Sequence, residues 1–302
     1  MKKKFKQRVL IGYYKTKLKT IGLISPQKAA LLALDLFSTP SKSKSKITVP
    51  PIFHKANSVS FEINNITVRG FQWKHTNPAA KKILIVHGFS SYVYKFEQYV
   101  AGLKKEGFEV LAFDAPAHGI SEGKKINAVI YRDTILAIEN NFGPIYGIVA
   151  HSMGGLAAAL ALEQFNLTIK RKLVLIAPAT ETRTAINNFF TIIPAEPKII
   201  TAFETLIVKL AQRPISYFSV ARVAKLSLAH TLWVHDQEDN ICTFSDVEPL
   251  LKEQIPMLEF LITKGLGHNQ VYKEQHIREQ IIHVPSACIF SLGTMISRIV
   301  KK

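Results

Sequence analysis

From residue 83 to residue 263 the chain alternates short apolar runs with amphipathic stretches, and this alternation constrains the fold more than any other feature. Residues 83–87, 110–114, 146–152, 172–177, 231–235 and 258–263 are runs rich in Val, Ile and Leu. A strand that lacks polar alternation is covered on both faces. Helical periodicity over 96–105, 128–140 and 154–164 fills intervals between these runs. Repeated strand–helix–strand units predict an α/β class, with a mostly parallel sheet and helices on both faces. Such a sheet binds ligands beyond the carboxyl ends of its strands. Ahead of it, 58–63 and 66–73 alternate around Asn64-Asn65 and predict a β-hairpin.

Two regions break the rhythm. Between residues 180 and 228 no convincing buried strand occurs, and Phe189, Phe190, Ile199, Ile200, Phe203, Leu206, Ile207 and Leu210 recur at helical spacing. This predicts a helical cap insertion, with a long crossover that never reaches the active site as the open alternative. If the segment is a cap, Phe189, Phe190, Phe203 and Tyr217 are candidates to wall an apolar pocket. At the other end, Ser25-Pro26 is a helix start, with Ser as N-cap and Pro in the first turn. That helix should reach Phe37 and stop before Pro40. Residues 41–46 alternate Ser and Lys and read as an exposed linker. The expected division is a basic arm over 1–50, a core of 51–179 and 229–302, and the insertion over 180–228.

Charge is distributed unevenly. Residues 1–50 hold twelve Lys/Arg against one acid, Asp35, and so carry most of the net charge of +17. Phe5, Val9, Leu10, Ile11, Tyr13, Tyr14 and Leu18 interleave with those lysines. The arm is then either a solvated extension whose apolar residues pack on the body, or a contact for an anionic membrane surface. Nucleic acid is not an expected partner, because no recognisable nucleic-acid-binding fold accompanies the charge. Lys15, Lys17 and Lys19 interrupt the apolar stretch that a signal peptide would need, and the apolar run 286–300 is too short to span a bilayer. Cys242 and Cys288 are too few for a disulfide framework. The expected location is cytoplasmic, with peripheral attachment to the membrane left open.

The chemistry is concentrated at Tyr146-Gly-Ile-Val-Ala-His-Ser-Met-Gly-Gly155. A strand, one serine and then small residues opening a helix form a nucleophile elbow, which projects the Ser152 hydroxyl from a strained turn. Ala150 replaces the usual first glycine of the G-x-S-x-G pattern, while Gly154 keeps the second. A serine hydroxyl is a weak nucleophile without an adjacent base. The partners should follow in the order acid, then histidine, each after a later strand. Asp236 and Asp239 follow run 231–235, and His268 follows run 258–263 between Gly265, Gly267 and Asn269. The oxyanion hole needs two backbone N–H donors. Met153 and Phe89 are the candidates, with Gly88 permitting the close turn and His87 ordering its loop. His151 and Gly154 support the elbow.

These motifs (His87-Gly88-Phe89, Asp114-Ala-Pro-Ala-His-Gly-Ile-Ser121, His151-Ser-Met-Gly-Gly155, Asp236-Gln-Glu-Asp239 and Gly267-His268) resemble the α/β-hydrolase superfamily. Within it they are most similar to the monoacylglycerol-lipase and serine-aminopeptidase-like branch, over roughly residues 58–285. The resemblance implies hydrolysis of an acyl ester or thioester, less often an amide, through a covalent acyl-enzyme. A non-catalytic binding member of the fold is the alternative. Its usual acid position, several residues past the strand, favours Asp239 over Asp236. The stretch Asp114–Ser121 is then a structural marker, and neither a metal nor an organic cofactor is implied.

Overall fold

A computed structural model describes residues 2–41, 48–166, 168–226, 229–285 and 298–300. The Ser-Lys alternation and most of the 286–300 run, together with Cys288, lie outside the described residues. Two compact units emerge, one made of Met1–Thr39 with Glu181–Phe218, the other of Pro40–Thr180 with Ser219–Lys302.

The larger unit is built on a nine-stranded sheet in the order β1-β2-β4-β3-β5-β6-β7-β8-β9. Its strands are β1 (Asn57–Ile63), β2 (Ile66–Trp73), β3 (Lys82–Val86), β4 (Glu109–Phe113), β5 (Ile145–His151), β6 (Lys172–Ile176), β7 (His230–Asp236), β8 (Leu258–Thr263) and β9 (Arg298–Val300). Only β2 runs against its neighbours. The β1–β2 hairpin turns at Asn64 and Asn65, whose φ of 50° and 58° are the left-handed values a tight hairpin turn requires. Of the strands expected to be covered on both faces, β4 and β6 are buried at every residue, while Glu259 of β8 is exposed.

Because β3 lies between β4 and β5, the chain leaves β3 toward one side and returns on the other. The loops that follow β3 and β5 therefore diverge at this point of the sheet, the usual place for a ligand crevice. Helix α5 (Met153–Leu162) is apolar on all sides, and each residue from Gly154 to Leu162 is buried.

The helices ahead of β7, in chain order, are α1 (Lys2–Ile24), α2 (Pro26–Ser38), α3 (Glu97–Lys105), α4 (Ala128–Phe142), α5 (Met153–Leu162), α6 (Thr182–Ile192), α7 (Pro197–Ala211) and α8 (Val220–Leu226). The Ser25 hydroxyl caps α2 by accepting from the Lys28 N–H at 3.2 Å. The smaller unit has its own core, in which Leu18 of α1 and Ala29, Ala30 and Ala33 of α2 meet Ile186, Phe190, Ile199 and Phe203. Small residues on α2 let α7 approach closely, so helices some 170 positions apart in sequence share one interior. Phe203 is fully buried between Phe37, Phe189 and Phe190. It is a core residue, and the pocket-wall role expected for it is withdrawn. Leu18 is equally buried, so the first twenty residues are not a wholly solvated extension. Helix α8, read from sequence as the end of the insertion, belongs to the larger unit, where Arg222 pairs bidentately with Glu163 at 2.7 Å.

Candidate active site

Ser152 connects β5 to α5 with φ 56° and ψ −126°, a conformation that side-chain-bearing residues rarely adopt. The turn is held in place by contact on every side. Ser152 N–H donates to the Ile176 carbonyl at 3.0 Å, and its own carbonyl accepts from Ala179 N–H at 3.0 Å. A methyl group at Gly154 would lie 2.4 Å from the His87 carbonyl oxygen, and one at Gly88 would lie 2.8 Å from Ser152 Cβ. Glycine is required at both places because backbone and side chain nearly touch. The methyl of Ala150 fits without exposure, so the departure from glycine there is accommodated within the sheet.

The hydroxyl of Ser152 is 3.1 Å from His268 Nε2. His268 Nδ1 is in turn 2.7 Å from Asp239 Oδ2. All three residues are buried. His268 sits on a one-turn helix, Gly267–Gln270, reached from β8 through Gly265 and Gly267 at φ 89° and 58°. Burial alone would raise the Asp239 carboxyl. The hydrogen bond from His268, its charge and the N–H groups of Ile241 (2.8 Å) and Cys242 (2.9 Å) outweigh burial, and the carboxyl is held below its ordinary value.

Asp236 is turned elsewhere. Its carboxylate accepts from Thr263 Oγ1 at 2.7 Å, Leu266 N–H at 3.0 Å and Glu238 N–H at 2.9 Å. Burial opposes ionisation here too, and these donors again hold the carboxyl below its ordinary value. Asp236 thus ties the end of β7 to the end of β8 and to the loop that carries His268.

The loop after β3 is ordered by neutral histidines. Burial pushes His87 down to about 4. Its Nδ1–H donates to the Gly88 carbonyl at 2.8 Å, while Nε2 accepts from Ala115 N–H at 3.0 Å. Burial and the neighbouring His87 push His118 to about 4 as well, and its Nε2 accepts from Ser90 N–H at 2.9 Å. Asp114 accepts from Val93 and Ile120 N–H at 2.8 and 3.0 Å and packs against Gly119. The Asp114–Ser121 stretch is structural, as its motif suggested. Among the described residues, neither Phe89 N–H nor Met153 N–H donates a hydrogen bond.

Two neighbours of the hydroxyl escaped the sequence reading in different ways. His151, expected to support the elbow, reaches with its ring to the His268 backbone, Nε2 lying 3.3 Å from that carbonyl. Burial, then the charge of His268, pushes His151 down to about 3. Cys242, which composition marks only as one of two cysteines, lies beside the nucleophile. Its Sγ is 4.0 Å from Ser152 Oγ, and burial pushes the thiol up. The one sequence signal was its position three residues after Asp239, the spacing at which an aspartate accepts from following backbone N–H groups.

Residues 77–240 match the sequence profile of the family described as serine aminopeptidase, S33. The chain belongs to that family. The match spans Ser152 and Asp239 of this serine-aminopeptidase-type chain and ends before His268. A Mycoplasma genitalium protein named "Putative esterase/lipase 2" is 28% identical over 110 residues, 35% of this chain. That stretch is 40% of the relative's own length. Among solved structures, an esterase of Pyrococcus furiosus superposes with a TM-score of 0.59 at 20% identity, covering 81% of this chain and 94% of that one. A predicted CIB-like hydrolase of Thermoplasma acidophilum superposes at 0.54 and 17% identity, covering 77% and 99%. At these identities the likeness is one of fold, and it is the α/β-hydrolase fold.

Proposed function

We propose that the protein is a serine hydrolase that cleaves a carboxylic ester or thioester through a covalent acyl-enzyme. The observation that carries this reading is the continuous line from Ser152 Oγ to His268 Nε2 at 3.1 Å and from His268 Nδ1 to Asp239 Oδ2 at 2.7 Å. Ser152 Oγ attacks the substrate carbonyl while His268 Nε2 takes its proton. Asp239 keeps the second ring nitrogen as a donor and stabilises the imidazolium that forms. The N–H groups of Phe89 and Met153 receive the developing oxyanion. His268 then returns the proton to the leaving alcohol or thiol, and water repeats the sequence on the acyl-enzyme. The names of the Mycoplasma relative and of the Pyrococcus structure favour an ester over an amide.

The experiment is fluorophosphonate labelling combined with a panel of p-nitrophenyl esters of increasing chain length, run beside aminoacyl p-nitroanilides. Labelling at Ser152 and turnover of at least one ester are expected, both lost in Ser152→Ala. Labelling elsewhere, or turnover that survives the substitution, overturns the assignment. Turnover of anilides alone moves the activity to amide cleavage.

A further inference from the structure

Helix α1 has two apolar faces, and the fold uses one. Leu18 is fully buried and Ile11, Tyr14 and Ile21 are partly so, all on the side that meets the rest of the smaller unit. At Gly22 an added methyl would lie 2.4 Å from Ile199 Cδ1, so α1 is seated closely on α7. The opposite side should be polar in a helix that only needs solvation. Here it carries exposed apolar groups: Val9, Tyr13 and Leu23, with Thr16 and Thr20 between them, follow one another at spacings of three and four residues, which places them on one line of the helix. Ile24 and Leu10 lie beside that line. Val9, Leu10 and Tyr13 are about half exposed, Leu23 is 67% exposed and Ile24 85%.

The flanks of this stripe are cationic. Arg8, Lys15 and Lys19 border it on one side and Lys17 on the other, all exposed. The Lys17 ammonium lies 5.6 Å from the centre of the Tyr13 ring. Across its 23 residues α1 contains eight Lys/Arg and no Asp or Glu. Long cationic side chains beside an apolar stripe can rest their stems on it and hold their heads at the level of lipid phosphates. Among the described residues, no helix is long and apolar enough to cross a membrane.

We propose that α1 docks, through the Val9–Tyr13–Leu23 stripe and its Lys/Arg borders, on the surface of a bilayer containing anionic phospholipid. Charge complementarity selects this occupant. A second copy of so basic a helix would be repelled. A polyanion such as nucleic acid would use the lysines but has no use for the stripe. The inference goes beyond the hydrolase reading, and its measurement does not depend on activity.

The test is sedimentation of the full chain with vesicles. Phosphatidylcholine vesicles containing about 30% phosphatidylglycerol should carry the protein down, and pure phosphatidylcholine should not. Raising salt from about 50 to about 300 mM should weaken binding about tenfold or more. Two variants separate the contributions: K15E/K17E/K19E reverses three of the eight positive charges, and V9S/Y13S/L23S removes the stripe at constant charge. Each should lower the partition coefficient about tenfold or more. All the altered side chains are exposed, and an unchanged thermal midpoint with unchanged fluorophosphonate labelling will show that both variants fold. Equal sedimentation of wild type and both variants overturns the proposal. So does loss of binding in the charge variant alone with duplex DNA competing for the wild type, which would make the arm a polyanion site. Wild-type dimerisation that the stripe variant abolishes, with no vesicle binding, would instead make the stripe a self-association face.

Discussion

The Nε2–H of His151 donates to the carbonyl of His268 at 3.3 Å, so the residue just before Ser152 holds the backbone of the residue whose ring meets Ser152. The His151 ring is also 4.6 Å from the Tyr272 ring, which stacks on Phe96. His151 is thereby a positioning residue. His151→Phe keeps the ring and loses the donor. It should lower ester kcat about tenfold with little change in KM, and cost about 1–3 kcal/mol for the buried carbonyl left unpaired. Urea unfolding and steady-state kinetics on the same preparation read both numbers. A purely structural role would move the unfolding midpoint and leave kcat alone.

Asp236 and Asp239 should respond oppositely to loss of charge. Asp239→Asn leaves the backbone N–H groups of Ile241 and Cys242 an acceptor but deprives His268 of its carboxylate, and turnover should fall by about three to four orders of magnitude. Asp236→Asn weakens a carboxylate that accepts three hydrogen bonds. It should cost about 2 kcal/mol of stability and reduce turnover much less. Matched turnover and denaturation curves decide it, and the reverse ranking would move the acid to Asp236.

Ser152→Gly should separate stability from activity. The serine is held at φ 56°, where glycine is unstrained. The variant should lose fluorophosphonate labelling entirely and gain about 1 kcal/mol of stability. A loss of stability in denaturant melts would mean that the elbow is not a site of backbone strain.

Stability should fall steeply on the acid side of neutrality. His87 and His118 are pushed down to about 4 and His151 to about 3 by burial. The unfolded chain takes up protons on these rings near pH 6.5, whereas the folded chain does not until pH falls to about 4. Their contribution is therefore complete above about pH 6.5 and is lost as pH falls through the window down to about 4. Each ring adds at most about 1.4 kcal/mol per pH unit to the slope. Urea unfolding at pH 7, 6 and 5 should show this decline, and His118→Gln should reduce its slope by about one proton. A pH-independent midpoint would mean that these rings titrate alike in the folded and the unfolded chain.

The local signals were legible because each rests on a short-range preference. The apolar runs became strands at nearly the residues expected, Asn64-Asn65 turned the hairpin through left-handed backbone, and Ser25 capped α2. Ser152 could be singled out because a strand, a serine and two glycines are adjacent in sequence, and that adjacency is what builds the elbow. What depends on chain segments meeting from afar was not encoded in any window. Asp236 ends β7 and Asp239 follows three residues later. Which of them faces His268 depends on how the loop after β8 returns, and that loop is itself anchored by Asp236. Cys242 comes within 4.0 Å of a hydroxyl ninety residues earlier in the chain, and no periodicity reports such a contact. The N-terminal helices share a core with Ile186, Phe190, Ile199 and Phe203, because three alanines on α2 match bulky side chains some 150 or more residues later in the chain. Sequence alone determined strands β1 to β8, helices α2 to α5 and the elbow, since backbone preference and turn chemistry act between neighbours, whereas the arm expected to hold one helix holds two, α1 and α2. Tertiary structure alone decided which aspartate meets the histidine and which face of α1 is left uncovered, since shape complementarity acts only once distant segments have met.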